Sequence, residues 1–175
     1  MLTGETQSVA ALPQAARTVP IVSGSVIVPV GAGYVESLAQ PGGNVTGITN
    51  LSTNLAGKQL ETFKEALPKL SRVGILYELA NPGSVRVKKD LPDLARALKF
   101  TLQLWEIRNT DDFEKTFADM RKQRSDGLFV LGGGGLFVAN ANRIVNFSLK
   151  NRLPSLYVRK SMVEAGGLMS YAADI

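Results

Sequence analysis

Short apolar segments alternate with longer amphipathic segments along most of the chain. Apolar runs such as Arg72–Tyr77 and Gly127–Leu131 are typical of strands buried on both faces of a sheet. Between such runs, apolar residues recur at helical spacing, as Leu60, Phe63 and Leu67 do. The alternation predicts β-α-β units and therefore an α/β fold, a parallel sheet with helices on both faces.

Proline, glycine and helix-capping residues set the predicted boundaries of these elements. The predicted strands are Val19–Val22, Asn44–Thr49, Arg72–Tyr77, Thr101–Ile107, Gly127–Leu131, Pro154–Val158 and Leu168–Tyr171. The predicted helices are Glu5–Arg17, Val30–Gln40, the stretch from Asn54 to Pro68, Pro82–Phe100, the stretch from Thr110 to Met120, Leu136–Asn151 and Ser161–Ala165. The predicted core consists of Leu60, Phe63, Ile75, Leu94, Leu98, Phe113, Phe117, Leu128, Val130, Ile144 and Leu156.

Composition excludes several classes of chemistry. The 175 residues include neither cysteine nor histidine. Thiol nucleophiles, disulfides, Ser-His-Asp triads and zinc sites built on Cys or His are therefore excluded. Because no other catalytic or cofactor-binding motif is complete, we expect no catalytic residues, no metal site and no cofactor.

Charge and hydropathy restrict the partners. The net charge is +5, but the basic residues are scattered and only Arg121–Arg124 is a tight run, at a predicted helix end. We therefore expect no nucleic-acid partner. The charge-free stretches Thr18–Val35 and Gly127–Asn142 are interrupted by glycine, and the first of them also by proline, which argues against a membrane span. No secretory signal is visible in Met1–Leu12.

Two segments that follow predicted strands are candidate binding loops, because ligands of open parallel sheets bind at the carboxyl ends of the strands. Gly132–Gly135 could present backbone amides to an anion, but no phosphate-binding motif is complete there, and a permissive turn is the simpler interpretation. Asn81–Ser84 fits a ligand-facing turn and an ordinary helix cap equally well.

A series of short segments occurs in a characteristic order. They are Val19–Val22, Pro29–Gly33, Ser37–Ala39, Pro41–Gly47, Leu55–Lys58, Ala80–Ser84, Arg152–Pro154 and Glu164–Tyr171. In this order they resemble the bacterial ABC-transporter substrate-binding proteins of the type I periplasmic-binding fold, in the branch that includes tryptophan and tyrosine binders. The resemblance covers Thr3–Asp174.

The resemblance implies two α/β lobes joined by a hinge, with a small molecule such as an amino acid clamped between them without catalysis. It places the later part of lobe one at residues 1–49, lobe two at 50–166 and a strand returning across the hinge at 167–175. It also implies a membrane permease as partner and a periplasmic or lipid-anchored location. The family's leader, first β-α units and tail have no counterpart, so we expect a fragment whose incomplete lobe self-associates as a homodimer or larger species.

Carried over position by position, the resemblance gives thirteen candidate ligand-binding residues. They are Thr3, Gly4, Glu5, Val28, Pro29, Thr49, Asn50, Asn81, Ser84, Gly132, Gly133, Gly134 and Tyr157. The sequence departs from the family at Val28, where an acidic residue is usual, at the glycine run, where a polar turn is usual, and at Glu78–Leu79, where Asn-Pro is usual. These departures remove polar ligand contacts, so the family's ligand does not transfer automatically.

Two other functions fit the same fold class. One is the ligand-sensing effector domain of a transcription regulator, although no helix-turn-helix precedes it. The other is a nucleotide-using α/β enzyme, which the missing histidine, cysteine and phosphate-loop residues make the weakest of the three.

Overall fold

The chain folds into two compact units that divide between Asn54 and Leu55. The computed structural model describes residues 2–3, 18–27, 29–50 and 55–172. The predicted helix Glu5–Arg17 therefore lies outside the described residues. Each unit has its own parallel sheet.

Among its described residues, the first unit has three strands, β1 (Leu2–Thr3), β2 (Ile21–Ile27) and β3 (Val45–Asn50). They pair in parallel in the order β1-β2-β3. Strand β2 runs further than its predicted end at Val22, because a bulge between Ser23 and Val26 absorbs the Ser-Gly-Ser segment that is typical of a loop.

The prediction of a helix at Val30–Gln40 is wrong, because this segment folds as successive turns. The Gly33 amide donates to the Val30 carbonyl at 3.0 Å, and Gly33 itself adopts a left-handed φ of 74°. Since glycine reaches this conformation readily and is a poor helix former, one turn forms and is not continued. Tyr34 and Val35 then pack on the small core of this unit.

The described residues of the second unit, 55–172, form five strands and six helices. The strands are β4 (Arg72–Glu78), β5 (Thr101–Ile107), β6 (Gly127–Leu131), β7 (Ser155–Tyr157) and β8 (Met169–Ser170). The helices are α1 (Ala56–Ala66), α2 (Pro82–Leu98), α3 (Asp112–Lys122), α4 (Gly135–Ala139), α5 (Ala141–Lys150) and α6 (Lys160–Glu164). All strand pairs are parallel, as predicted, in the order β5-β4-β6-β7-β8.

Helices cover both faces of this sheet, as the apolar runs predict. Along β4, Ile75 packs with α1 and α2, whereas the next residue, Leu76, packs with α3 and α5 on the opposite face. The alternation arises because successive side chains of a strand point to opposite faces. The predicted core is confirmed except that Leu94 and Leu98 are only half-buried, at the margin of the α1–α2 cluster.

The predicted continuous helix Leu136–Asn151 is divided into α4 and α5 at Asn140. The Asn140 side-chain amide donates to the Leu136 carbonyl at 2.8 Å, and its backbone leaves helical geometry. Asparagine commonly competes with the helix backbone in this way.

Candidate functional site

The carboxyl edge of the second unit's sheet brings together the end of β4, the start of α2 and the loop after β6. Asn81 caps α2, with its side-chain oxygen accepting from the amides of Gly83 at 2.9 Å and Ser84 at 3.3 Å. Asparagine favours this position because its oxygen satisfies amides that have no partner within the helix. The capping interpretation of Asn81 is confirmed.

Ser84 anchors the start of α2 to the end of β6. Its buried hydroxyl donates to the Leu131 carbonyl at 3.0 Å. A side chain at the next residue, Gly132, would approach the same hydroxyl, since an added Cβ would lie 3.2 Å from Ser84 Oγ. Ser84 therefore positions the loop, and its hydroxyl is engaged within the protein.

The glycine run lies between two charged side chains. A Cβ at Gly133 would lie 2.2 Å from Nε of Arg159, and a Cβ at Gly134 would lie 2.5 Å from Oε2 of Glu78. Gly132 has a φ of 145°, a conformation that side chains rarely allow. The glycine run thus permits a turn that side chains would strain, and the absence of side chains there leaves room for Glu78 and Arg159.

Glu78 and Arg159 are the charged residues that sequence reasoning missed as site members. Glu78 is the last residue of β4 and is buried, whereas Arg159 follows β7 and is exposed. Arg159 makes no ion pair with any residue that the structure describes. Their positions in the sequence could have identified them as candidates, since each stands at or just after the carboxyl end of a parallel strand.

Tyr157 does not face this edge, and here the prediction is wrong. The side chain is fully buried in the cluster formed with α3 and α5, and its hydroxyl lies 3.4 Å from Ser148 Oγ. Its place in the alternation of β7 turns it toward the helices of that face.

A second charged group lies toward the β5 edge of the sheet. Lys88 Nζ donates to the Tyr77 hydroxyl at 2.8 Å, and that hydroxyl donates to Glu106 Oε2 at 3.2 Å. Arg108 also bonds Glu106, and this contact holds the pKa of the Glu106 carboxyl below its usual value. The hydrogen bond to Tyr77 raises the pKa of Lys88. These charges satisfy one another within the protein.

The remaining predicted residues belong to the first unit. Gly4, Glu5 and Val28 lie outside the described residues. Thr3 is in β1, opposite Ser23, and Asn50 is opposite Ile27 at the end of β3.

Pro29 and Thr49 line a small cavity of about 100 Å³ in the same unit, with the buried Ser23 among its walls. Thr49 Oγ1 donates to the Val26 carbonyl at 3.0 Å. The described first-unit candidates therefore lie on β1, on β3 and in the turn that follows β2.

The described part of the chain contains neither a carboxylate cluster suited to a metal ion nor a membrane-spanning helix. Among those residues, no three Asp or Glu side chains are grouped so that they could hold a metal ion. No helix there has both the length and the apolar character that crossing a membrane requires.

Comparisons with known proteins agree on one family. The family model described as ABC transporter substrate binding protein matches residues 1–175. A curated relative, the tyrosine-binding protein of Clostridioides difficile, is 26% identical over 169 residues, which are 97% of this chain and 48% of the relative.

Solved structures have the same fold. A Streptococcus pneumoniae ABC domain in complex with L-Trp matches with a TM-score of 0.88 at 24% identity, over 99% of this chain and 57% of that one. A conserved domain protein from Vibrio cholerae matches with the same TM-score and coverage at 26% identity. The chain thus spans about half the length of these relatives. It belongs to the family of ABC transporter substrate-binding proteins.

Proposed function

We propose that this chain is part of the solute-binding component of an ABC transporter and that its solute is an amino acid with an aromatic side chain. Family membership supports the solute-binding role, and the tyrosine-binding relative supports the ligand class. The observation that carries the proposal is the approach of an acidic and a basic side chain to the glycine run at the carboxyl edge of the sheet.

The proposal assigns lobe two to residues 50–166, with residues 1–49 contributing to lobe one and 167–175 returning across the hinge. The ligand is held in the cleft by groups from both lobes, and hinge closure excludes water and presents the loaded protein to a permease. The role is binding without catalysis, and the location is extracytoplasmic.

The second-unit part of the site consists of Asn81, Ser84 and Gly132–Gly134, together with Glu78 and Arg159. Ser84 positions the loop, while Glu78 and Arg159 contact the solute. In lobe one the proposal keeps Thr3, Gly4, Glu5, Val28, Pro29, Thr49 and Asn50 as cleft residues.

Calorimetric titration of the 175-residue chain tests the solute class. We expect L-tyrosine and L-tryptophan to bind, with a Kd no tighter than roughly 0.1 mM, because the chain spans about half the length of its relatives and supplies only part of the contacts. L-Leucine should bind less tightly, and ATP and duplex DNA should not bind at physiological salt. Tight nucleotide binding would favour the enzyme alternative, and DNA binding that persists at physiological salt would favour the regulator.

Self-association through the first unit is part of the proposal. Its apolar side chains Val30, Leu38 and Ile48 are exposed. Exposed apolar surface favours association with a second copy.

A further inference from the structure

The amino edge of the second unit's sheet carries a row of basic side chains. A short loop leads into each of the neighbouring strands β5, β4, β6 and β7. Each loop holds one exposed basic residue shortly before its strand, and these four residues form the basic row: Lys99, Lys69, Arg124 and Arg152. Because neighbouring strands lie about 4.8 Å apart, residues that are scattered along the sequence come together on one edge of the fold.

The charges of the basic row are not neutralised by the described part of the chain. None of its four residues makes an ion pair there. The four loops contain one carboxylate, that of Asp126, and it accepts from the amides of Ser71 at 3.2 Å and Arg72 at 2.7 Å. Two more exposed cations without an ion pair among the described residues, Arg121 and Lys150, stand in the last turns of α3 and α5. The edge is therefore positively charged.

The backbone at three of these positions favours glycine. Lys99, Arg124 and Arg152 follow the ends of α2, α3 and α5 with left-handed φ values of 57°, 52° and 49°. No other non-glycine residue in the described ranges has a positive φ. Glycine is the usual residue at such helix ends. The fold thus gives no reason for a long basic side chain at these positions, whereas a function of the surface does.

Exposed leucines lie at the β8 end of the same edge. Leu149 is 58% exposed beside Lys150, and Leu168 is 59% exposed just before β8, which pairs with β7. A Cβ at Gly166, two residues before Leu168, would lie 3.6 Å from Leu149 Cδ1. Basic groups next to exposed apolar side chains are typical of surfaces that lie on anionic membranes. Binding to nucleic acid phosphates needs the charges but not the leucines.

We propose that the amino edge of the second unit's sheet docks this chain on a membrane that contains anionic phospholipids. The basic row binds the lipid phosphates, and Leu149 and Leu168 enter the boundary between headgroups and acyl chains. The docking is peripheral and goes beyond the proposed solute-binding role. Because the two edges are opposite ends of the same strands, the candidate solute site at the carboxyl edge stays clear of the lipid.

Sedimentation with sucrose-loaded vesicles tests the proposal on the 175-residue chain at physiological salt. The chain should bind vesicles of equal amounts of phosphatidylcholine and phosphatidylglycerol, and should not bind phosphatidylcholine alone. The triple variant Lys99→Gly, Arg124→Gly and Arg152→Gly should bind the anionic vesicles about 100-fold more weakly, since each basic residue near such a surface contributes about fivefold. Its melting temperature should not fall, because glycine suits the left-handed backbone.

A second triple variant controls for net charge. Lys89→Gln, Lys115→Gln and Lys160→Gln remove the same charge at exposed positions outside the basic row. This variant should stay within about threefold of the parent, because charges further than about 8 Å from the lipid are largely screened. Equal losses in the two triple variants would overturn the proposal, as would a parent chain that ignores anionic vesicles.

The leucines distinguish lipid from other polyanions. Leu149→Ser combined with Leu168→Ser should weaken binding to anionic vesicles and leave the weak low-salt binding to duplex DNA unchanged. If the parent binds duplex DNA at physiological salt more tightly than it binds vesicles, or if the leucine variant binds vesicles like the parent, the membrane assignment is overturned. Calorimetry with L-tyrosine is independent of all these outcomes, so the proposed solute-binding function stands or falls separately.

Discussion

The described residues of the two units form buried clusters of different sizes. In the second unit, helices cover both faces of the sheet and form two clusters of large buried side chains. Among the described residues of the first unit, the buried cluster consists of Ile21, Val26 and Val45, with Tyr34 and Val35 packed against it, and Ile48 on β3 is 72% exposed. A strand buried on both faces contributes most to stability, because each apolar side chain removed from water contributes about 1.5–3 kcal/mol.

The comparison separates two kinds of residue that look alike in sequence. The apolar residues in the two clusters of the second unit hold its fold, whereas Leu38 and Ile48 of the first unit are surface residues. Substitutions in the two units should therefore have different consequences, and the experiments below are ordered by the size of the effect expected on stability.

Phe117→Ala should have the largest effect. Phe117 is buried and stacks on Phe147 with ring centroids 4.0 Å apart. Because truncation leaves a cavity, we expect a loss of about 3–5 kcal/mol in the free energy of unfolding, measured by denaturant titration. A loss below about 1 kcal/mol would contradict the assigned packing of α3.

Ser84→Ala should have the next largest effect. It removes the hydroxyl that donates to the Leu131 carbonyl inside the protein. Leaving a buried acceptor without this donor costs about 1–3 kcal/mol. Ser161→Ala, at an exposed position of α6, is the matched control. Equal unfolding free energies for the two variants would show that the contact contributes nothing.

Some elements of the fold can be predicted from the sequence and others cannot. The continuous apolar runs of β4 and β6 predict their strands well, because burial on both faces selects apolar residues at every position. The turn after β2 is mispredicted because its apolar spacing is helical while its glycines favour other conformations. The spacing of the apolar residues does not reveal that Gly33 adopts a left-handed φ.

The site was only partly predictable for a related reason. Asn81 is recognisable because capping is a local interaction. Arg159 resembles any solvated arginine, and only the packing of β7 beside β6 brings it to Gly133. Tyr157 was misassigned because its direction depends on the register of a three-residue strand.

Ile48→Ser should change stability little, by less than about 0.5 kcal/mol, because the side chain is already mostly in water. We expect it to shift the sedimentation profile toward monomer, since it removes an exposed apolar group of the first unit. Val138→Ser, at a half-exposed position of the second unit, is the control and should leave the profile unchanged. The reverse pattern would place the association surface on the second unit.

Asp112→Asn should have the smallest effect, confined to one side of the pH scale. The amides of Arg108 and Asn109 donate to the Asp112 carboxylate and hold its pKa below the usual value. The stabilisation is therefore present above the ordinary carboxyl pKa of about 3.9 and is lost as the pH falls through the lowered folded value. The difference in melting temperature between the parent and the variant should shrink on acidification below about pH 4. A difference that grows there would contradict this sign.

A crystal structure of the 175-residue chain grown with saturating L-tyrosine tests the central claim most directly. We expect the amino acid to lie over Gly133 and Gly134, in contact with Glu78 and Arg159. A ligand seated instead in the first-unit cavity beside Ser23, or on a helical face of the second unit, would contradict the assignment of the site to the carboxyl edge of the sheet.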